Sequence, residues 1–148
     1  MKQLFTLLMI VLVASVAHSQ ISVGMHVGGS NKNMVVGAMG QYQFENNFTV
    51  GLNMTAHADK VNPAFLQSRF GFTIGEKDKG ASMQPYIGYS YGIQNFEQKV
   101  YGGHFTGGFQ MRYQFSPIAA VYADINFPAP KYTVFTIGIA GIIPRFCN

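Results

Sequence analysis

A chain of 148 residues with only 11 % charged, 48 % hydrophobic and 14 % aromatic residues is short of charge. Globular domains carry about 25 %, so a water-soluble domain of this composition would be poorly solvated unless much of its surface avoids water. The formal charge of +4 is spread along the chain without a basic run, which excludes nucleic acid as a partner, and the lone Cys147 excludes an internal disulfide framework.

Residues 1–19 open with Met1-Lys2, run through the apolar stretch "LFTLLMIVLVA" and close on "SVAHS", with Ala17 and Ser19 at the small positions. That order is a secretory signal peptide, and the apolar stretch is too short to cross a bilayer as a helix. Residues 20–148 are expected to form a single exported domain.

From Gln20 onward helical spacing fails and alternation succeeds, and the abundance of Gly, Tyr and Phe favours strands and turns. Eight strands are predicted. The first, about 20–28, sets Ile21, Val23, Met25 and Val27 against Ser22, Gly24 and His26. The second, about 34–44, sets Met34, Val36, Ala38, Tyr42 and Phe44 against Gly37, Gln41 and Gln43. The third, about 48–57, alternates without a break: Phe48, Val50, Leu52, Met54 and Ala56 against Thr49, Gly51, Asn53, Thr55 and His57. The fourth, about 64–74, sets Leu66, Phe70, Phe72 and Ile74 against Gln67, Arg69, Gly71 and Thr73. The fifth, about 83–94, sets Ile87, Tyr89, Tyr91 and Ile93 against Gln84, Tyr86, Gly88, Ser90, Gly92 and Gln94. The sixth, about 101–115, sets Tyr101, Phe105, Phe109, Met111, Tyr113 and Phe115 against His104, Thr106, Gln110, Arg112 and Gln114. The seventh, about 119–127, sets Ala119, Val121, Ala123, Ile125 and Phe127 against Ala120, Tyr122, Asp124 and Asn126. The eighth, about 132–142, sets Phe135, Ile137 and Ile139 against Thr136, Gly138 and Ala140. Connectors such as "GGSNKN", "HADKVNP" and "GEKDKGAS" carry turn chemistry.

Within 20–148, the charges fall in connectors or beyond the last strand, except Arg69, Arg112 and Asp124, which share the polar parity. No strand carries a charge on its apolar parity. A water-soluble barrel has an apolar inside and a charged outside. Here the polar parity offers Gly, Gln, Thr, Asn, Tyr and His, a poor solvent coat but a suitable lumen, and the apolar parity is a suitable lipid coat. Hydrocarbon tolerates no unpaired backbone group, so the sheet must close. The expectation is an all-β fold: a closed eight-stranded antiparallel up-and-down transmembrane β-barrel after the signal peptide. With the N-terminus exported, both termini face the periplasm, together with the turns "ENN", "GEKDKGAS" and "SP".

These features resemble the small eight-stranded outer-membrane β-barrels, the OmpA/OmpX-like group, and in particular the short outer-membrane β-barrel proteins of Bacteroidota. The resemblance rests on the signal peptide ending before Gln20, the eight alternating segments and the aromatic Phe146 after the last strand. The chain departs from the pattern by ending "RFCN", with Pro144 ahead of Phe146. The resemblance implies a Gram-negative outer-membrane location, contact with the lipid bilayer and the barrel-assembly machinery, a monomer, and a structural, envelope or interaction role.

Function-bearing residues are sought on the inner parity. Arg69, Arg112 and Asp124 form a candidate lumen charge cluster. A three-residue turn, Ser116 to Ile118, pairs Gln110 with Asp124 and Arg112 with Tyr122, and Arg112 then reaches Asp124 diagonally. This pair is expected to be a structural strut, the remaining arginine resting on Tyr86, Tyr122 or water. His26, His57 and His104 share the inner parity toward one end and form a possible lumen histidine group, without metal-ligand spacing. No metal or cofactor is expected. Ser68, Ser90, His57 and Asp59 compose no nucleophile–base set, so no enzymatic activity is expected. The inner parity is rich in glycine, which leaves room for water-filled cavities and, as an alternative function, a narrow pore for small solutes. A soluble secreted barrel holding a small apolar ligand is the other alternative.

Overall fold

The computed structural model describes residues 20–31, 33–58, 63–75, 79–94 and 99–143, with backbone alone at 94 and 99–101. The expected signal peptide, Asp59, and the segment holding Pro144, Phe146 and Cys147 lie outside the described residues.

Among the described residues the β segments are β1 (Gln20–Ser30), β2 (Asn33–Gln43), β3 (Phe48–His57), β4 (Ala64–Phe72), β5 (Ile74–Gly75), β6 (Gly80–Gln94), β7 (Lys99–Ser116), β8 (Ala119–Ala129) and β9 (Tyr132–Ile143). Sequential neighbours other than β4 and β5 pair antiparallel, β1 pairs with β9, and β4 pairs with β6, so the sheet closes on itself. Segment β5 continues β4 along β6, and the barrel has eight staves. The gap between β4 and β5 has a local cause. By register Phe72 falls opposite Pro85, and proline has no N–H to contribute to the ladder.

Following paired residues across the sheet from Val23 leads through Gly40, Leu52, Ser68 and Tyr89 to Phe105. Val23 lies near the start of β1, at the end of the barrel where the first and last described residues, Gln20 and Ile143, lie (the terminus end). Phe105 lies nearer the opposite end, so the strands tilt against the barrel axis as closure requires.

The turns follow their residues. Asn31 and Asn47 take positive φ of 46° and 69°, a conformation asparagine tolerates better than other non-glycine residues. Asn31 Nδ2 donates to Lys131 O at 2.8 Å and ties the β1–β2 turn to the β8–β9 turn.

The faces are assigned as the alternation predicts. Large apolar side chains point outward, among them Met25 and Ile87 at 72 % exposed and Phe105 at 91 %. The interior is mostly polar, with Gln67, Gln110, Asn53, Asn126 and Asp124 among the largest fully buried side chains. Ser68, on the outer parity, donates Oγ to the Tyr89 carbonyl at 3.3 Å and so hides its one polar atom.

Two features differ from the expectation. A β-bulge pairs Tyr91 with Gly103 but Gly92 with Tyr101, leaving Gly102 as the extra residue. One extra residue reverses parity, so Tyr101, expected on the outer parity, is in register with Gly92, an inner-parity residue. The interior also holds apolar side chains: Val35, Met39, Phe65, Val134 and Ile142 are buried.

Candidate functional site

The lumen holds a hydrogen-bonded network centred on Asp124 of β8. Its carboxylate accepts from Arg69 Nη2 at 2.9 Å, Tyr86 Oη at 2.8 Å and Asn126 Nδ2 at 3.0 Å. These donors come from β4, β6 and β8 itself. The Arg69 guanidinium also gives Nη2 to Gln67 Oε1 at 3.0 Å and lies 4.3 Å over the Tyr86 ring. A buried carboxylate with three donors, one of them a guanidinium, is charge-compensated in the way low-dielectric surroundings demand.

Gln67 spreads the network. Its Oε1 accepts from Asn53 Nδ2 at 2.8 Å, and its Nε2 donates to Thr106 Oγ1 and Asn126 Oδ1, both at 3.3 Å. Asn53 Nδ2 also reaches Thr55 Oγ1 at 3.1 Å, which lies 3.4 Å from His26 Nε2. His26 Nδ1 is 3.1 Å from Tyr122 Oη. The connected groups span β1, β3, β4, β6, β7 and β8.

The register foreseen for β7 and β8 is found: Gln110 pairs with Asp124 and Arg112 with Tyr122. The diagonal ion pair foreseen from it is not. Asp124 bridges across the lumen to Arg69, while Arg112 Nη2 reaches Gln114 Oε1 at 3.4 Å. The lumen is narrow enough for an arginine on β4 to outreach the one on the neighbouring strand, and Tyr86 holds its guanidinium in place.

The three histidines do not converge. His26 belongs to the Asp124 network. His57 Nδ1 lies 2.8 Å from Pro63 O, so this nitrogen carries the proton. Its ring packs edgewise on Phe65 and Tyr132, with centroids 6.1 and 5.7 Å away, and Phe65 and Tyr132 meet at 5.2 Å. This aromatic group lies toward the end of the lumen opposite Gln20 and Ile143. His104 is half-buried on β7, opposite Ser90. Among the described residues no group of three or more His, Cys, Asp or Glu is arranged to hold a metal ion.

The inward glycines do not leave the open cavities expected of them at the two positions nearest the network. A Cβ on Gly108 would strike the Tyr86 hydroxyl, and one on Gly138 would strike the Tyr122 ring and the Met25 carbonyl. These glycines seat the two tyrosines, an arrangement in which an aromatic ring covers a glycine on a neighbouring strand. Toward the termini, Gln41 Nε2 donates to Gln84 Oε1 and Gln84 Nε2 to Thr49 Oγ1, each at 2.7 Å. Gln110 Nε2 meets Met39 Sδ across the lumen at 3.3 Å. Met39 and Phe65 were missed as lumen residues because only the polar members of the inner parity were sought there.

No family model matches the sequence, and no curated protein is detectably similar to it. Solved structures share its architecture. The N-terminal β-barrel domain of Pseudomonas aeruginosa OprF aligns with a TM-score of 0.70 at 12 % identity, over 84 % of this chain and 97 % of that one. A de novo designed transmembrane β-barrel aligns with a TM-score of 0.58 at 18 % identity, over 84 % and 95 %. Ail, the attachment invasion locus protein of Yersinia pestis, aligns with a TM-score of 0.56 at 14 % identity, over 84 % and 97 %. At such identities the likeness speaks for fold alone: the chain is a closed eight-stranded antiparallel β-barrel of the architecture found in small outer-membrane barrels.

Proposed function

We propose that this chain is an integral outer-membrane β-barrel of a Gram-negative bacterium, of the short Bacteroidota type, with a structural, envelope or interaction role and no catalytic activity. One observation carries this: the barrel is inside-out. Its most exposed large apolar side chains are Phe105, Met25 and Ile87, whereas Gln67, Asn53 and Asp124 are among its most buried side chains. Water would penalise that arrangement and hydrocarbon favours it. The fold shared with the OprF domain and Ail supports the same location. The filled lumen favours a role at the membrane surface over transport, and its polarity disfavours a soluble carrier of an apolar ligand. The chain acts as a monomer held by the bilayer after insertion by the assembly machinery, with both termini on the periplasmic side.

Carbonate washing of membranes tests the location. The protein stays with the membrane and needs detergent to leave it; release as a soluble species would overturn the proposal. Planar-bilayer recording tests the filled lumen, and regular single-channel steps from the wild type would establish the pore instead.

A further inference from the structure

The lumen has a cation, Arg112, that no other described residue neutralises. Among the described residues Asp124 is the only acidic side chain on the inner face, and it is committed to Arg69. Arg112 faces the same lumen toward the termini. Its one hydrogen bond among the described residues is the long contact from Nη2 to Gln114, and its Nε is buried without a partner. The one other described carboxylate, Glu45, sits exposed in the β2–β3 turn, outside the strands, and has interactions of its own.

The surroundings of Arg112 are donors. The contact between Met39 and Gln110 sets the level of β2 against β7 across the lumen. Both strands run toward the termini, so two residues further on Gln41 stands level with Arg112, and four further on Gln43 stands level with Gln114. Gln43 Nε2 is buried with no acceptor. Two unspent buried N–H donors, one of them on a guanidinium, thus lie at this end of the lumen, where none of the described inner-face residues is a carboxylate. Arg112 itself is only half-buried, so part of its side chain is accessible.

We propose that Arg112, with Gln43 and Gln114 beside it, forms an oxyanion-binding site at the terminus-side mouth of the lumen, taking a carboxylate or phosphate group. A guanidinium presents a planar fork that fits two oxygens of either group. The neutral amides around it add hydrogen bonds without competing charge. Chloride lacks the paired oxygens and binds more weakly.

The test uses the full barrel in detergent micelles, labelled at arginine Nε and followed by NMR. Acetate and inorganic phosphate are added separately, with sodium chloride at matched ionic strength as the reference. The Arg112 Nε–H signal shifts saturably with acetate, phosphate or both, while the Arg69 signal, held by Asp124, stays in place. Which of the two saturates at lower concentration identifies the group preferred. Arg112→Lys keeps the charge but loses the fork, and weakens binding by about tenfold or more; Arg112→Gln abolishes it. The site is refuted if neither oxyanion gives a saturable shift, if chloride reproduces the shift, or if Arg112→Lys binds as well as the wild type. Since the primary readout is on the wild-type protein, a variant that fails to fold leaves the test intact.

Discussion

Replacing Asp124 by alanine removes the node of the lumen network while the barrel wall is left alone. Three donors lose their acceptor at once: Arg69 at 2.9 Å, Tyr86 at 2.8 Å and Asn126 at 3.0 Å. Arg69 keeps only Gln67 and the face of Tyr86, and remains a buried cation without a counter-charge. Breaking a buried ion pair from one side costs about 3–5 kcal/mol, which shifts the unfolding equilibrium more than about a hundredfold. Removing both charges, as Arg69→Met with Asp124→Ala, takes away the stranded cation and recovers most of that loss. The chain has no tryptophan, so unfolding in urea is followed by far-UV circular dichroism on barrels in detergent or liposomes. The cycle gives a coupling between the two residues of about 2 kcal/mol or more. A loss below about 1 kcal/mol in Asp124→Ala, or additive losses in the double variant, would refute the claim that this pair bears the lumen's stability.

Two other substitutions probe the two faces. Gly108→Ala places a methyl against the Tyr86 hydroxyl and destabilises by about 1–3 kcal/mol, whereas Gly40→Ala on the outer face, with nothing within 4 Å, is neutral in the same unfolding assay. Ile139→Arg, at a position 68 % exposed and in register with both Met25 and Val121, puts a charge in the apolar belt; it costs about 2–4 kcal/mol in liposomes, and a barrel indifferent to it does not sit in a bilayer.

The fold was legible because lipid and lumen select opposite residue types, and strands expose that selection with a period of two. The third strand, Phe48 to His57, shows it without interruption. The register of β7 on β8 was foreseen, although by a different route: Ser116 pairs with Ala119 across a two-residue turn, and a bulge at Phe115 restores the pairing of Gln110 with Asp124. What failed was whatever depends on distance across the barrel. Arg112 and Asp124 are close in register, but Arg69 wins the carboxylate from the far wall, and nothing local in the sequence marks that reach. Alternation also cannot announce its own interruptions. The bulge at Gly102 and the break opposite Pro85 both sit at residues known to disturb ladders, yet glycine recurs at many positions where the ladder runs on undisturbed.

The proposed burial in lipid changes which residues hold the molecule together. Hydrocarbon tails are as apolar as leucine, so the outward Leu52 or Ile87 gains little from its neighbours beyond what any apolar residue would gain there. The paired backbone and the lumen must supply specificity. Gln67 measures this best, since its side chain joins Asn53, Thr106 and Asn126 from three other strands and Arg69 from its own. Leucine at this position has a similar volume and is more hydrophobic, so a soluble core would accept it. Here it leaves the donor of Asn53 with only Thr55, removes one partner each from Arg69 and Asn126, and does so where each unmet buried group costs about 1–3 kcal/mol. Gln67→Leu is therefore expected to destabilise the barrel by several kcal/mol, and Leu52→Val on the opposite face by less than about 1 kcal/mol. Urea midpoints for the two variants decide the matter: if the apolar replacement inside is the better tolerated one, the polar lumen is mere filling and the node at Asp124 is not what closes the barrel.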